Sequence, residues 1–132
     1  MALARLFTVA RANRTLPLVA RIVDDVVARV AELKTLSAAR ELASRGEREE
    51  RARRLREVER ELERHAEELS GVGCELKDPE TGLIDFPAKN GDAAILLCWR
   101  KGEGAIEWWH PVETGFRGRR PVSELPKETL GE

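Results

Sequence analysis

The run from Leu83 to His110 constrains the fold of this chain more than any other stretch. Asn90-Gly91 and the glycine-containing segment 101–104 divide it into three short apolar segments. Asn-Gly between apolar runs is the strongest short signal for a two-residue β-hairpin loop, and a Pro-to-Gly turn at residues 78–82 precedes the run. The sequence therefore predicts a small antiparallel sheet, a meander of short strands, over residues 73–110.

The two hairpin turns set a trial register for these strands. Pairing Lys89 with Asp92, and Arg100 with Ala105, distributes alternate residues between two faces. The face expected to pack on helices carries Ile84, Phe86, Ile95, Leu97, Trp99, Ile106, Trp108 and His110. The opposite face carries Leu83, Asp85, Leu96, Cys98, Arg100, Glu107 and Trp109. Because a slip of one residue exchanges the two faces, these assignments depend on the turns.

The first part of the chain carries a heptad pattern of apolar residues. It begins after Thr8, a residue type favoured at helix N-caps, and its steps alternate between three and four. The seam consists of Val9, Ala12, Leu16, Val19, Val23, Val26, Val30 and Leu33. This pattern predicts a helix over residues 8–45 with one face against another helix. Pro17 predicts a kink or a restart within it, and Gly46 is the expected stop.

A second helix is predicted over residues 47–69, where glutamate and arginine alternate at helical spacing. Its narrow seam consists of Leu55, Val58, Leu62, His65 and Leu69. The interleaved glutamates would repel phosphate, so this segment favours a solvated helix over a nucleic-acid arm. The two helices predict a long, coiled-coil-like antiparallel hairpin. A small sheet cannot cover a first helix of roughly 50 Å, so either the hairpin tip protrudes or a homodimer covers it.

Length and composition favour one α+β domain over residues 1–132, with residues 111–132 as a tail docked on the sheet. Charged residues make up 36% of the chain, yet the formal net charge is only −1 because acids and bases are mixed. No global field therefore points to nucleic acid or an anionic membrane. No stretch is apolar enough to span a bilayer, and two cysteines without a CxxC motif favour the cytoplasm.

A polar-aromatic patch beside the tail is the first candidate binding site. Its residues are Asp85, Arg100, Trp109, Arg117, Arg119 and Arg120. A strand-borne aspartate on a partly apolar face needs a partner, which the tail arginines could supply. Arginine and tryptophan are typical of protein interfaces and of anion recognition. The patch therefore predicts binding of a small anion, a peptide or a partner protein, or else a dimer interface with a second copy of the chain.

Two chemical alternatives involve His110. A Cys98/His110 nucleophile is disfavoured, because the trial register places the two side chains on opposite faces. A divalent metal site at His65 and His110 would form if the second helix faces this end of the sheet, since imidazole suits zinc or iron. Further ligands would come from Asp78, Glu61 or Glu68. No HxxxH, CxxC or HExxH spacing supports this site, and no other cofactor is predicted.

Several ordered segments resemble a known family. They are Phe7-Thr8, Ala12-Asn13, Leu16-Pro17-Leu18, Gly73, Glu75-Leu76-Lys77-Asp78, Gly82-Leu83, Asp85-Phe86-Pro87, Leu97-Cys98-Trp99-Arg100, Gly102-Glu103, Trp109-His110, Gly115-Phe116 and Gly118-Arg119-Arg120-Pro121. The chain is similar to the prokaryotic domain-of-unknown-function family numbered 2203. The resemblance implies a small soluble bacterial or archaeal protein and supplies no reaction, so whether the chain is an enzyme stays open. We expect a non-enzymatic, self-associating interaction module, with a metal-binding protein or metal-dependent enzyme as the alternative.

Overall fold

The computed structural model describes residues 6–38 and 44–131. Two long helices precede a five-stranded antiparallel sheet, so the predicted α+β architecture is confirmed. The elements in chain order are α1 (Val9–Ala38), α2 (Arg45–Val72), β1 (Glu75–Asp78), β2 (Leu83–Asn90), β3 (Ala93–Arg100), β4 (Trp108–Pro111), β5 (Arg120–Pro121) and α3 (Lys127–Leu130). The strands follow the order β1-β2-β3-β4-β5, which is a simple meander.

The predicted cap and apolar seam of α1 are both present. The Thr8 hydroxyl accepts the Arg11 N–H at 3.1 Å, which satisfies one free donor of the first turn. The helix continues through Pro17, so it does not restart there. Its buried side chains are Val9, Ala12, Val19, Ile22, Val23 and Val26. The expected extension of this helix to residue 45 includes residues 39–43, which lie outside the described residues.

A capping box begins α2. The Ser44 hydroxyl accepts the Glu47 N–H at 3.2 Å, and the Glu47 carboxylate accepts the Ser44 N–H at 2.9 Å. The expectation that Gly46 ends the first helix is therefore wrong, because this box places Gly46 in the first turn of α2. The helix ends at Gly73, whose left-handed φ of 108° lets its N–H reach two carbonyls of the last turn.

The turn between β2 and β3 lies one residue later than the trial register assumed. Asn90 pairs with Ala93, so Gly91 and Asp92 form the two-residue loop. Gly91 has a φ of 62° at the first loop position, where a type II′ turn favours glycine. Each residue of β2 consequently meets a β3 partner two positions later than expected, and a shift of two leaves the predicted faces unchanged.

The predicted register between β3 and β4 is wrong by one residue. Leu97 pairs with Trp109 rather than with Trp108. The connection is longer than the expected hairpin because the Ile106 N–H donates to Asn13 Oδ1 of α1 at 2.7 Å, instead of entering the sheet. The slip exchanges the faces of β4, so Trp109 joins the core while His110 lies on the face of Cys98.

The core lies between the helices and one face of the sheet, as predicted. Its sheet residues are Ile84, Phe86, Ala88, Ile95, Leu97, Trp99 and Trp109, and Ile106 packs with them. The tail covers part of the opposite face. The end of the tail also packs on the protein, since Leu125 and Thr129 are buried and the Thr129 hydroxyl donates to the Lys89 carbonyl. Within the described residues, no helix combines the length and apolarity of a membrane span.

Candidate functional site

Three adjacent strands bring Asp85, Cys98 and His110 together on the face away from the helices. Asp85 of β2 pairs with Cys98 of β3, and His110 of β4 pairs with Leu96, two residues along β3. The three residues are 1%, 0% and 2% exposed, respectively. Their potential metal-binding atoms all lie within 4.8 Å of one another. We refer to these three residues as the Asp–Cys–His cluster.

The hydrogen bonds of His110 fix the roles of its ring nitrogens. Nδ1 lies 2.7 Å from the Pro111 carbonyl oxygen, which can only accept, so Nδ1 carries a proton. Nε2 lies 3.1 Å from Asp85 Oδ1. In the neutral ring, Nε2 has a lone pair and no proton, and it would face an acceptor on the carboxylate. A proton or a metal cation between the two atoms is therefore required.

The same geometry suits two ligands of one metal ion. Zinc binds imidazole nitrogen and carboxylate oxygen at about 2.0–2.2 Å with tetrahedral angles, which places two ligand atoms about 3.4 Å apart. The observed separation of 3.1 Å between His110 Nε2 and Asp85 Oδ1 is close to that value. A ligating histidine usually donates its second ring N–H to a carbonyl or carboxylate, as His110 does to Pro111. The Cys98 sulfur would be a third ligand.

Arg119 lies directly beside this cluster. Its Nε donates to Cys98 Sγ at 3.3 Å, and its Nη2 donates to the Cys98 carbonyl at 3.3 Å. Both terminal nitrogens also bind the Glu103 carboxylate, at 2.5 and 2.8 Å. The guanidinium is stacked near the rings of Phe116 and Trp108, at 4.4 and 5.6 Å from the ring centroids. These contacts hold a positive charge in a fixed position at the edge of the cluster.

Burial controls the protonation of the thiol. It raises the pKa of Cys98 to about 11, although the neighbouring Arg119 acts in the opposite direction. The thiol therefore keeps its proton at neutral pH unless a cation displaces it, as metal binding does. The hydrogen bonds from Arg119 lower the pKa of Glu103, which keeps that carboxylate ionised. Burial alone would lower the pKa of Arg119, but the bonds to Glu103 and Cys98 raise it overall.

The structure divides the predicted polar-aromatic patch between the two faces of the sheet. Asp85 and Arg119 meet at the cluster, and Arg100 stacks on Phe116 with 5.1 Å to the ring centroid. Trp109 lies in the core. The exposed Arg120 lies 5.7 Å from the centroid of the Trp109 ring and binds Glu124 at 2.8 Å. Arg117 is exposed on the tail. The buried Asp85 lies against His110 rather than against a tail arginine.

The structure does not bring His65 to His110. Each nitrogen of His65 contacts a carboxylate, with Nε2 2.5 Å from Asp25 and Nδ1 2.7 Å from Glu68. The other expected ligands are also engaged elsewhere, since Asp78 accepts two bonds within its own turn and Glu61 binds Arg54.

The residues that could bind a metal together with His110 are Asp85 and Cys98. The sequence placed both on one face. The wrong β4 register alone separated His110 from them.

Comparison with known proteins identifies the family. A family model described as Uncharacterized conserved protein (DUF2203) matches residues 5–122, a range that includes the cluster, Glu103 and Arg119. Neither the curated proteins nor the solved structures gave a match. Because the match covers most of its 132 residues, the chain belongs to the DUF2203 family.

Proposed function

We propose that this chain is a metal-binding protein whose ligands are Asp85, Cys98 and His110. The observation that carries the proposal is the 3.1 Å approach of His110 Nε2 to Asp85 Oδ1 while Nδ1 is committed to a carbonyl. Two acceptor atoms facing each other in a buried site need a proton or a metal cation between them, and the Cys98 sulfur beside them favours the metal. The Cys98 sulfur lies within 4.8 Å of both ligand residues' atoms and completes a three-ligand set.

Zinc is the metal that this set favours. Imidazole, thiolate and carboxylate are the three ligand types that zinc takes in proteins, and the thiolate disfavours magnesium and calcium. Charge balance supports the same choice. An ionised Asp85 and a Cys98 thiolate together neutralise Zn²⁺, while Arg119 and Glu103 neutralise each other. A site with no net charge avoids the large cost of burying an uncompensated ion.

Metal binding by single-ligand variants tests the proposal. We expect reduced, metal-free protein to take up one zinc ion per chain in competition with a chromophoric chelator. Asp85→Asn, Cys98→Ser and His110→Gln should each weaken binding by at least about 100-fold, since losing even a supporting partner costs about 10- to 100-fold. Cys74→Ser is the matched control, because Cys74 is also buried and free but lies outside the cluster.

Circular dichroism of each variant separates a lost ligand from a lost fold. A folded Cys98→Ser or His110→Gln protein that binds zinc as tightly as the wild type would contradict the proposal. So would a folded, reduced wild-type protein that takes up no metal.

A second candidate function, a self-associating interaction module, is supported by the lengths of the elements. The 30 residues of α1 span about 45 Å, whereas an eight-residue strand spans about 26 Å. The buried side chains of α1 end at Val26, and Val30, Leu33 and Leu36 beyond it are only half-buried. A second copy of the chain lying on this part of the hairpin would cover them. The mass of the native particle distinguishes a homodimer from a single chain.

A further inference from the structure

We infer that the loaded metal site binds a small anion at its fourth coordination position, with Arg119 as the positioning charge. This inference rests on the proposed metal site and specifies the class of ligand that it takes. It concerns an exogenous ligand such as hydroxide, azide, thiocyanate or a small carboxylate, all of which present one negative donor atom.

The protein leaves this coordination position open. Within residues 6–38 and 44–131, no fourth histidine, cysteine, aspartate or glutamate places a ligand atom in the cluster. Glu103 is linked to the cluster through Arg119, but its carboxylate is occupied by both terminal nitrogens of Arg119 and by the Arg100 N–H. Zinc sites with three protein ligands complete their coordination with water or another exogenous ligand.

The charge beside this position selects an anion. With Asp85 and Cys98 ionised, a bound Zn²⁺ is neutralised, so an added anion depends on a nearby cation, even one that is shared with a carboxylate as Arg119 is with Glu103. Arg119 supplies that cation, since its Nε is only 3.3 Å from the metal-binding sulfur of Cys98. Of its five N–H donors, the described contacts use four, which leaves one for a ligand.

Burial restricts the ligand to a small one. The three cluster residues are at most 2% exposed, whereas the side chains of Arg119 and Glu103 are 12% and 22% exposed. Arg119 contacts Cys98 and is also partly exposed to solvent. A ligand would therefore reach the site along the side chains of Arg119 and Glu103. An anion of two or three atoms could pass with a small rotation of the guanidinium, while a larger molecule would have to displace Phe116 and the tail that stack on it.

Cobalt substitution tests this inference with a spectroscopic signal. Co²⁺ bound by the cluster should show a thiolate charge-transfer band and visible d–d bands, and titration with thiocyanate should shift the d–d bands to saturation. In Arg119→Gln the thiolate band should persist while the thiocyanate affinity falls about tenfold or more, the usual cost of losing one charged hydrogen bond. Arg100→Gln is the matched control, since Arg100 stacks on the same Phe116 without a described contact to the cluster.

Glu103→Gln provides an independent variant should Arg119→Gln not fold. It removes the charge that neutralises Arg119, so we expect thiocyanate to bind several-fold more tightly than to the wild type. Equal thiocyanate affinities in the wild type, Arg119→Gln and Glu103→Gln would overturn the inference, as would cobalt spectra that do not respond to the anion. Those results would leave the metal site itself standing. A wild-type protein that binds no cobalt would refute the metal site and this inference together.

Discussion

His65 joins the two long helices through charge. Its Nε2 contacts Asp25 of α1 and its Nδ1 contacts Glu68 one turn later on α2. Arg29 of α1 binds the same Asp25 at 3.4 Å and approaches Glu61 of α2 at 4.0 Å. Burial on its own lowers the pKa of His65, but the hydrogen bonds to Glu68 and Asp25 raise the pKa above 6.5 overall. Only the protonated ring can donate to both carboxylates at once.

We expect the stabilising effect of His65 to disappear as the pH rises. A histidine whose pKa is raised on folding stabilises fully below its unfolded pKa and loses this effect as the pH rises through its folded pKa. Asp25 and Glu68 are 39% and 49% exposed, so solvent screens the pair and the contribution is at most about 1 kcal/mol. Urea unfolding should therefore show a larger stability difference between wild type and His65→Gln at about pH 5 than at about pH 9.

Comparing wild type with His65→Gln at both pH values isolates the effect of the His65 ring, because the two proteins share every other titrating group. A stability difference that is equal at both pH values, or larger at the higher one, would contradict the assignment of His65 as the pH-dependent link.

Among the secondary-structure elements and their turns, two glycines with similar positive φ angles separate backbone strain from packing. Gly82 has a φ of 77°, and a methyl group there would lie 2.7 Å from Val23 of α1 and 2.8 Å from Lys101. Gly91 has a φ of 62°, but nothing lies within 4 Å of such a methyl group. Gly91→Ala should therefore cost only the left-handed strain of about 1–2 kcal/mol. Gly82→Ala should lose the same strain energy and, in addition, roughly 1–3 kcal/mol of stability because the new methyl group overpacks against α1.

Denaturant unfolding of both variants measures these costs. The difference between them reports how tightly the turn before β2 is held against α1, since the strain contributions largely cancel. Equal losses of stability in the two variants would show that α1 yields at Val23 without cost, which contradicts the close packing of this layer.

The sequence predicted α1, β2 and β3, which depend on local patterns. It did not predict the register of β4, which depends on a contact with a distant part of the chain. Thr8, the heptad seam and the Asn-Gly hairpin act within a few residues, so the sequence alone indicated α1, β2 and β3. The register of β4 depends on the bond between Ile106 and Asn13, which are 93 residues apart. No pattern within β3 or β4 reports that bond. The resulting slip moved His110 to the face of Asp85 and Cys98, which is why the metal site expected from the sequence did not include these two residues.

At the scale of the whole molecule, α1 has two parts with different partners. Its first part, up to Val26, packs on the sheet and forms the apolar core. Its second part contacts α2 through a charged network, in which Arg54 binds Glu32 at 2.6 and 2.9 Å and Glu61 at 3.3 Å. The side chains of Arg54, Glu32 and Glu61 are 34%, 29% and 24% exposed, so solvent screens these ion pairs in part. The apolar residues Val30, Leu33 and Leu36 of this part are only half-buried, so contact with a further apolar surface would stabilise the protein.

We expect the native protein to form a homodimer through this distal part of the hairpin. Sedimentation or native mass spectrometry should report twice the 14.8 kDa of one chain. Leu36→Glu should shift the equilibrium toward the single chain, because a charge would be buried at the contact without a partner. Leu18→Glu is the matched control, since Leu18 is an exposed leucine at the sheet end of the same helix. A wild-type protein with the mass of one chain at every concentration, or a Leu18→Glu protein that dissociates as readily as Leu36→Glu, would refute an interface at this position.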